Sequence, residues 1–383
     1  MNLDSAVNID DLRKIAKAYM PRIAYDFIEG GCDGEDGLLC NEEAFRAQKI
    51  VPRYLVDIRQ RNQKTTLFGR TYDSAFGIAP TAPAALGRVG ADAALGRAAV
   101  EANLPYIQSG AGSASLEFMQ TVAKEHHWFQ LYPARDKTVQ ADVVRRARDA
   151  GIHTLVVTVD IPSRAKRERN MRNGFTRPLS MTWPVMMEAL THPAWLLAYY
   201  KNGGPPALEN WRPYAGDAAA TAEQIAAYST TQTGRPIFWD EIEAIRKFWP
   251  GTLILKGIMH PDDAVRAAEA GAHGVIVSNH GARQLDRSPS PLEVFPAIRD
   301  AAGDKVTLML DSGVRRGVDV FIALCYGAKF VFAGRAPLYG VCAGGLAGAR
   351  KSLAILKVEL DAIMGQVGCA DLKDASPDFL FKG

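Results

Sequence analysis

The sequence predicts an α/β protein: a (β/α)8 barrel of the TIM type with a long insertion after its fourth strand. Three observations predict it. Eight short apolar runs, rich in β-branched residues, recur from residue 76 onward. Longer amphipathic segments separate them. Each run carries a polar or ionisable residue at or next to its end. Strands alternating with helices imply a parallel sheet, and eight such units close a barrel.

The runs are FGIAPTA (76–82), LPYIQS (104–109), WFQLY (128–132), TLVVTVD (154–160), TLILKG (252–257), GVIVSN (274–279), VTLMLDSG (306–313) and FVFAGR (330–335). Between them DAALGRAAVEAN, VQADVVRRARDAG, DDAVRAAEAGA, PLEVFPAIRDAAG and GVDVFIALCYGA carry apolar residues at helical spacing. Ahead of the barrel, Asp10 is placed to cap a helix through Leu12, Ile15, Ala16 and Tyr19. YDFIEGG (25–31) reads as a helical turn stopped by glycines. The chain is taken as one domain, 1–383, with residues 176–250 as the insertion. Its aromatic part, 181–206, is broken by Pro184, Glu188, His192 and Pro193. Such a piece is too interrupted to span a bilayer. It suits either a membrane interface or a lid packed on the barrel or on another subunit.

Bulk composition sets limits on function. Of 383 residues, 48% are apolar and 23% charged, which is ordinary for a globular enzyme, and a net charge of +3 does not point to nucleic acid. Five scattered cysteines without a CxxC read as reduced thiols. No metal-ligand set is expected. The polar, acidic start has no signal-peptide pattern, so a cytoplasmic protein is expected, in peripheral contact with the inner face of the cell membrane if residues 176–215 bind it.

In a barrel of this kind the site is built at the carboxyl ends of the strands. Those ends carry Thr81, Ser109, Gln130 with Tyr132, Thr158 with Asp160, Lys256, His280, Asp311, and Gly334 with Arg335. DSGVRRG (311–317) and Gly334-Arg335 follow the last two runs, the usual place for a phosphate, which glycine N–H groups and a guanidinium would hold. This does not distinguish a phosphorylated cofactor from a phosphorylated substrate. Lys256 ends a very apolar run and needs an anionic partner inside the barrel, or serves as a Schiff-base amine. In SNHGARQLD (278–286), His280 and Arg283 stand three apart in a glycine turn. The imidazole can take a proton and the guanidinium can hold a carboxylate. Asp160 is placed to orient His280. Arg167 lies in a basic run (163–175) of which one arginine needs to reach the site.

These residues resemble the FMN-dependent 2-hydroxy acid oxidases and dehydrogenases, and within that family its membrane-associated mandelate-oxidising members. SNHGARQLD is the most specific match. YDFIEGG, APTA (79–82), WFQLYP (128–133), TVDIP (158–162), RNGF (172–175), LKG (255–257), DSGVRRG and AGRAPLYG (333–340) extend the likeness over nearly the whole chain. The resemblance implies FMN as cofactor and an (S)-2-hydroxy acid as substrate. It implies His280 as base with Asp160 behind it, and Arg167 and Arg283 on the substrate carboxylate with help from the Tyr25 hydroxyl. Tyr132 would lie on the oxygen that becomes the ketone. Lys256, Ala82, Ser109, Gln130, Thr158 and Ser278 would surround the flavin ring. Asp311 would hold the ribityl chain, and Gly313, Arg315, Gly334 and Arg335 the phosphate. Tetramers are the family habit.

Two positions bear on specificity. Ala111 stands where plant glycolate oxidases carry tryptophan, leaving room for a larger side chain. Ala82 stands where mandelate dehydrogenases tend to carry glycine and many oxidases alanine, which leaves a quinone and O2 both open as acceptor. Two other classes share part of the pattern. A nucleotide-binding barrel isomerase would not need the His280, Arg283 and Arg167 set, and a non-catalytic barrel would not keep every ionisable strand end.

Overall fold

In the computed structural model, which describes residues 2–216 and 219–381, an antiparallel hairpin, β1 (Thr65–Leu67) and β2 (Arg70–Tyr72), precedes eight barrel strands. These are β3 (Phe76–Ile78), β4 (Tyr106–Ser109), β5 (His127–Leu131), β6 (Thr154–Thr158), β7 (Thr252–Ile258), β8 (Gly274–Val277), β9 (Thr307–Leu310) and β10 (Phe330–Ala333). They pair in parallel, each with its neighbour in sequence, and β10 closes on β3. The expected barrel is therefore the observed one. Most strands are shorter than the runs that announced them, and the residues left over form the loops at the mouth.

Side chains alternate in and out along each strand, as the two-residue period requires. Ile107, Trp128, Val156, Ile254, Ile276, Met309 and Phe332 form one buried cluster that fills the barrel. Phe129, Leu155, Val157, Leu255, Val277 and Leu310 belong to the cluster shared with the surrounding helices. Two residues beyond each inward apolar side chain, on the same parity, stand Ser109, Gln130, Thr158, Lys256, Ser278, Asp311 and Gly334. The barrel is thus an apolar plug topped by a polar layer. A further step of two reaches Tyr132, Asp160, His280 and Gly313.

The hairpin was not foreseen. It closes the opposite end of the barrel: Leu67, Phe68 and Tyr72 join the interior cluster, and the Phe68 ring lies 6.0 Å from that of Trp128. Its two-residue turn holds Phe68 at φ 48° and Gly69 at φ 80°, the pair of left-handed residues such a turn needs.

The first helix runs Ile9–Tyr19, and its cap is Asn8, whose side chain accepts from the Asp11 N–H at 2.9 Å; Asp10 lies inside the first turn. Arg22–Glu29 and Asp36–Arg46 follow, then the barrel helices. Within the long excursion after β6, helices Trp183–Ala189 and Pro193–Lys201 bury Val185, Ala189, Trp195 and Tyr199. The Trp195 indole donates to the Leu86 carbonyl at 2.9 Å. Helix Trp239–Phe248 instead takes a barrel helix's place before β7: Glu241 pairs with Lys137 on one side, and Arg266 lies over the Trp239 ring on the other. Among the described residues no helix is long and apolar enough to cross a membrane.

Candidate active site

Above the polar layer lies a cavity of about 530 Å³. Of the residues singled out from sequence, Ala82, Tyr132, Arg167, Lys256, His280, Arg283, Asp311, Gly313, Arg315, Gly334 and Arg335 line it. Ser109, Gln130, Thr158, Asp160 and Ser278 stand directly behind these.

Lys256 is 4% exposed. Its ammonium donates to Ser278 Oγ at 2.8 Å and pairs with Asp311 at 3.0 Å. Burial pulls its pKa down, but Asp311 and Asp160 outweigh burial and hold it above the ordinary lysine value. It is a fixed cation, not the neutral amine that a Schiff base requires.

His280 Nδ1 lies 2.9 Å from Asp160 Oδ1. Burial lowers the imidazole pKa and Asp160 raises it, with a net position below the ordinary value. Burial pushes Asp160 up, but the facing His280 holds it below its usual range. The pair therefore rests as carboxylate and neutral imidazole, and the carboxylate is placed to stabilise an imidazolium when one forms. Tyr132 stands next to them, its hydroxyl pKa raised by burial and then by Asp160.

Cations dominate the rest of the wall. Arg283 donates to the Gly30 carbonyl at 2.6 Å, and its guanidinium lies 5.2 Å from the Phe27 ring centre. Burial, then Arg167 and Arg335, depress its pKa well below the arginine range. Arg167 is brought down to about 10 by burial, with Arg177 the leading charge. No side-chain hydrogen bond or ion pair holds Arg167 among the described residues. Two guanidiniums in this state, one largely free, make a receptor for a carboxylate.

Tyr25 is not there. Its hydroxyl accepts from Arg13 Nε at 3.3 Å and Lys17 lies over its ring, on the side of the helix away from the cavity. Phe27, two residues on and hence on the opposite helix face, lines the wall instead. Sequence reading also passed over Arg177, Trp211 and the buried pair Asn41 and Asn279. Arg177 and Trp211 line the cavity. The two asparagine amides exchange hydrogen bonds at 3.0 and 2.7 Å and clamp the 278–282 loop to helix Asp36–Arg46. The basic run at 163–175 advertised an arginine, but its pattern alone did not say which one reaches the cavity. Arg169 pairs with Glu35 and Asp26, and Arg172 with Glu168.

The polar layer fits a flavin on its own evidence. The Gln130 amide nitrogen and the Thr158 hydroxyl are buried without a partner. Ser109 Oγ donates to Gln130 Oε1 at 3.1 Å, which fixes the amide so that its NH2 is the free end. Buried polar groups are paired in nearly all folded proteins, so two orphans just behind the cavity's lining suit a flat, hydrogen-bonding heterocycle. At the other end, Gly334-Arg335 begins a helix that runs from Arg335 to a break at Gly344-Gly345, and helix amino termini favour phosphate. Arg335 donates to the Ile28, Gly281 and Gly30 carbonyls, which leaves part of its donor fork free. Arg315 pairs with Glu42 at 3.2 Å.

Comparison with known proteins agrees. The model of the FMN-dependent dehydrogenase family matches residues 16–382. An (S)-mandelate dehydrogenase of Pseudomonas putida is 36% identical over 374 residues, covering 97% of this chain and 93% of that one. A peroxisomal (S)-2-hydroxyacid oxidase of Arabidopsis thaliana is 32% identical over 98% of this chain and 96% of its own. The crystal structure of a monotopic membrane protein, (S)-mandelate dehydrogenase, superposes with a TM-score of 0.95 at 34% identity, over 99% of this chain and 100% of that one. The chain belongs to the FMN-dependent 2-hydroxy acid dehydrogenase and oxidase family, flavoenzymes that act on a CH–OH donor.

Proposed function

We propose that this enzyme oxidises an (S)-2-hydroxy acid with an aryl side chain, mandelate-like, to the 2-keto acid and passes the electrons to a membrane quinone. The observation that carries the reading is the His280–Asp160 pair at 2.9 Å beside Tyr132, in a cavity that Arg167 and Arg283 also line. When bound, FMN supplies the two-electron acceptor. Gln130 and Thr158, with Ser109 and Ser278 behind, would hold its ring. Lys256 would set a positive charge against its edge, Ala82 would lie on its other side, and Asp311 would take the ribityl chain. Gly313, Arg315, Gly334 and Arg335 would take the phosphate.

The protein's own part follows from the geometry. Arg167 and Arg283 grip the substrate carboxylate and so fix the α-carbon. His280, neutral at rest, takes the proton, and Asp160 stabilises the imidazolium. Tyr132 and Arg167 stabilise charge developing on the substrate oxygen. Ala111 leaves its part of the wall open for an aromatic side chain.

The acceptor and the location follow from the surface. Trp183, Met187, Leu190, Leu197 and Tyr200 are all between 47% and 76% exposed on the two insertion helices. Exposed side chains of that kind on neighbouring short helices suit the headgroup layer of a membrane, where a quinone is at hand. Ala82 supports a second reading, a soluble oxidase that uses O2, releases H2O2 and acts on lactate or glycolate.

The test is anaerobic mixing with (S)-mandelate while following the oxidised-flavin band near ~450 nm. Rapid bleaching with slow recovery in air is expected. Fast recovery would make it an oxidase. Bleaching only with lactate or glycolate would overturn the substrate, and no flavin band would overturn the reading entirely.

A further inference from the structure

The cations around the cavity are not equally provided for. Lys256 has Asp311, Arg315 has Glu42, and Arg335 has three carbonyls. Arg283 has the Gly30 carbonyl, and with Arg167 it accounts for one substrate carboxylate. Arg177 is left over. It lines the cavity, and no hydrogen bond or ion pair reaches its side chain among the described residues. It lies against an aromatic ring: its guanidinium carbon is 5.6 Å from the centre of the Phe27 ring, the same ring that Arg283 approaches at 5.2 Å. Phe175 stacks on that ring at 4.7 Å and holds it in place. A cation over an aromatic face makes no use of its N–H donors, so those of Arg177 are free of protein acceptors and open to a ligand.

The surroundings say what would satisfy them. The Arg177 side chain reaches solvent, and the protein groups whose charges act on it are Tyr132 and Arg164. Arg177 in turn is among the cations that depress Arg167 and Arg283. No carboxylate of the protein enters this group. A monocarboxylate substrate leaves this cluster of guanidiniums with excess positive charge at the mouth of the cavity. An anion does not, and a planar carboxylate matches the guanidinium fork.

We propose that Arg177 forms a second anion subsite in the substrate cavity, and that the substrate is a 2-hydroxy acid whose side chain carries a further carboxylate at its far end. The first carboxylate binds Arg167 and Arg283. The side chain lies along the Phe27 wall, and its terminal carboxylate meets Arg177. This rests on the 2-hydroxy acid reading above and narrows it: the aryl group is an acidic one.

The test uses the holoenzyme and two analogues without the α-hydroxyl, phenylacetate and para-carboxyphenylacetate, titrated by perturbation of the flavin spectrum. The dianion is expected to bind at least ~10-fold tighter, the effect of one charge-assisted contact. In Arg177→Leu that ratio falls to about one, and in Arg177→Lys, which keeps the charge without the fork, it stays intermediate. Arg177→Gln, of similar shape and uncharged, serves where the leucine variant loses its flavin. Equal or weaker binding of the dianion by the unaltered enzyme overturns the proposal, and so does a preference that survives loss of the guanidinium. Anaerobic bleaching by (S)-mandelate and (S)-para-carboxymandelate separates the two levels. If neither bleaches, the 2-hydroxy acid reading itself fails. If both bleach with equal kcat/KM, only the second subsite fails.

Discussion

His280, Gly281 and Ala282 all lie in left-handed backbone, at φ 58°, 63° and 58°. For the histidine and the alanine this costs about 1–3 kcal/mol each, so the loop must be held from outside. The Cys32 N–H binds the Ala282 carbonyl at 3.0 Å, Ser312 Oγ accepts from the Gly281 N–H at 2.9 Å, and Asn279 accepts from Ala282. The result aims the imidazole at Asp160. His280→Ala is expected to keep its flavin and lose turnover by about 10²–10⁴-fold, the usual contribution of a general base. Flavin reduction at the normal rate in that variant would remove His280 from the role. The pH dependence follows from sign. The base works unprotonated, so kcat/KM rises with pH through the His280 pKa, which burial sets below its ordinary value of 6.5. Asp160 is the group that raises it. Asp160→Asn should therefore move the acid limb to still lower pH while lowering the plateau. A limb that stays put or moves up would show that the carboxylate does not act on His280. At this scale the sequence was readable where chemistry needs a rare residue at a strand end, as at Lys256 and His280. It misled at Tyr25, because a motif carries no helical phase and the face that meets the cavity belongs to Phe27. It was silent on Arg177, because an arginine just past a basic stretch looks the same whether or not it reaches the cavity.

Among the elements, the barrel strands were legible for a physical reason. A strand buried on both faces is mostly apolar until it reaches the mouth, so an inward-facing polar residue marks both its end and the site. The overshoot at the strand ends has the same origin: segments such as 311–313 look like strand but turn into the site. Hairpin β1–β2 escaped notice because Phe68, a bulky residue at positive φ, replaces the asparagine or aspartate that signals such turns. Helix Asp36–Arg46 escaped too, although it holds two loops at once. Asn41 pairs its amide with Asn279, and its carbonyl lies where a side chain at Gly313 would have to go, 2.3 Å from the Cβ position, at φ 86°. Asn41→Ala removes two buried amide bonds and is expected to cost about 1–3 kcal/mol, seen as a lower melting temperature and faster loss of FMN on dilution. An unchanged melting temperature and flavin affinity would mean that the helix does not brace the site.

The whole molecule adds what neither residues nor elements contain, namely which surface is left uncovered. From sequence, residues 181–206 could have been a lid or a membrane contact, since the apolar pattern is the same for both. The structure divides the segment: Val185, Ala189, Trp195 and Tyr199 face the barrel, whereas Trp183, Met187, Leu190, Leu197 and Tyr200 face outward. The inner set accounts for the packing, whereas the outer set leaves about half or more of each side chain in solvent. Aromatic and aliphatic side chains of this kind on two short helices can bury themselves in the interfacial layer without spanning it. The expected outcome is that the intact protein sediments with anionic lipid vesicles, and that Trp183→Ser, Leu190→Ser and Leu197→Ser combined leaves it in the supernatant. These side chains are 56% to 76% exposed, so their replacement should cost little stability, and anaerobic flavin reduction by substrate should be unaltered because none of them lines the cavity. Electron transfer to a vesicle-borne quinone should fall in the same variant, while transfer to a water-soluble dye should not. If the intact protein stays in the supernatant, or if the triple variant reduces the vesicle quinone at full rate, the outward patch is not a membrane contact and the oxidase reading supported by Ala82 becomes the better one.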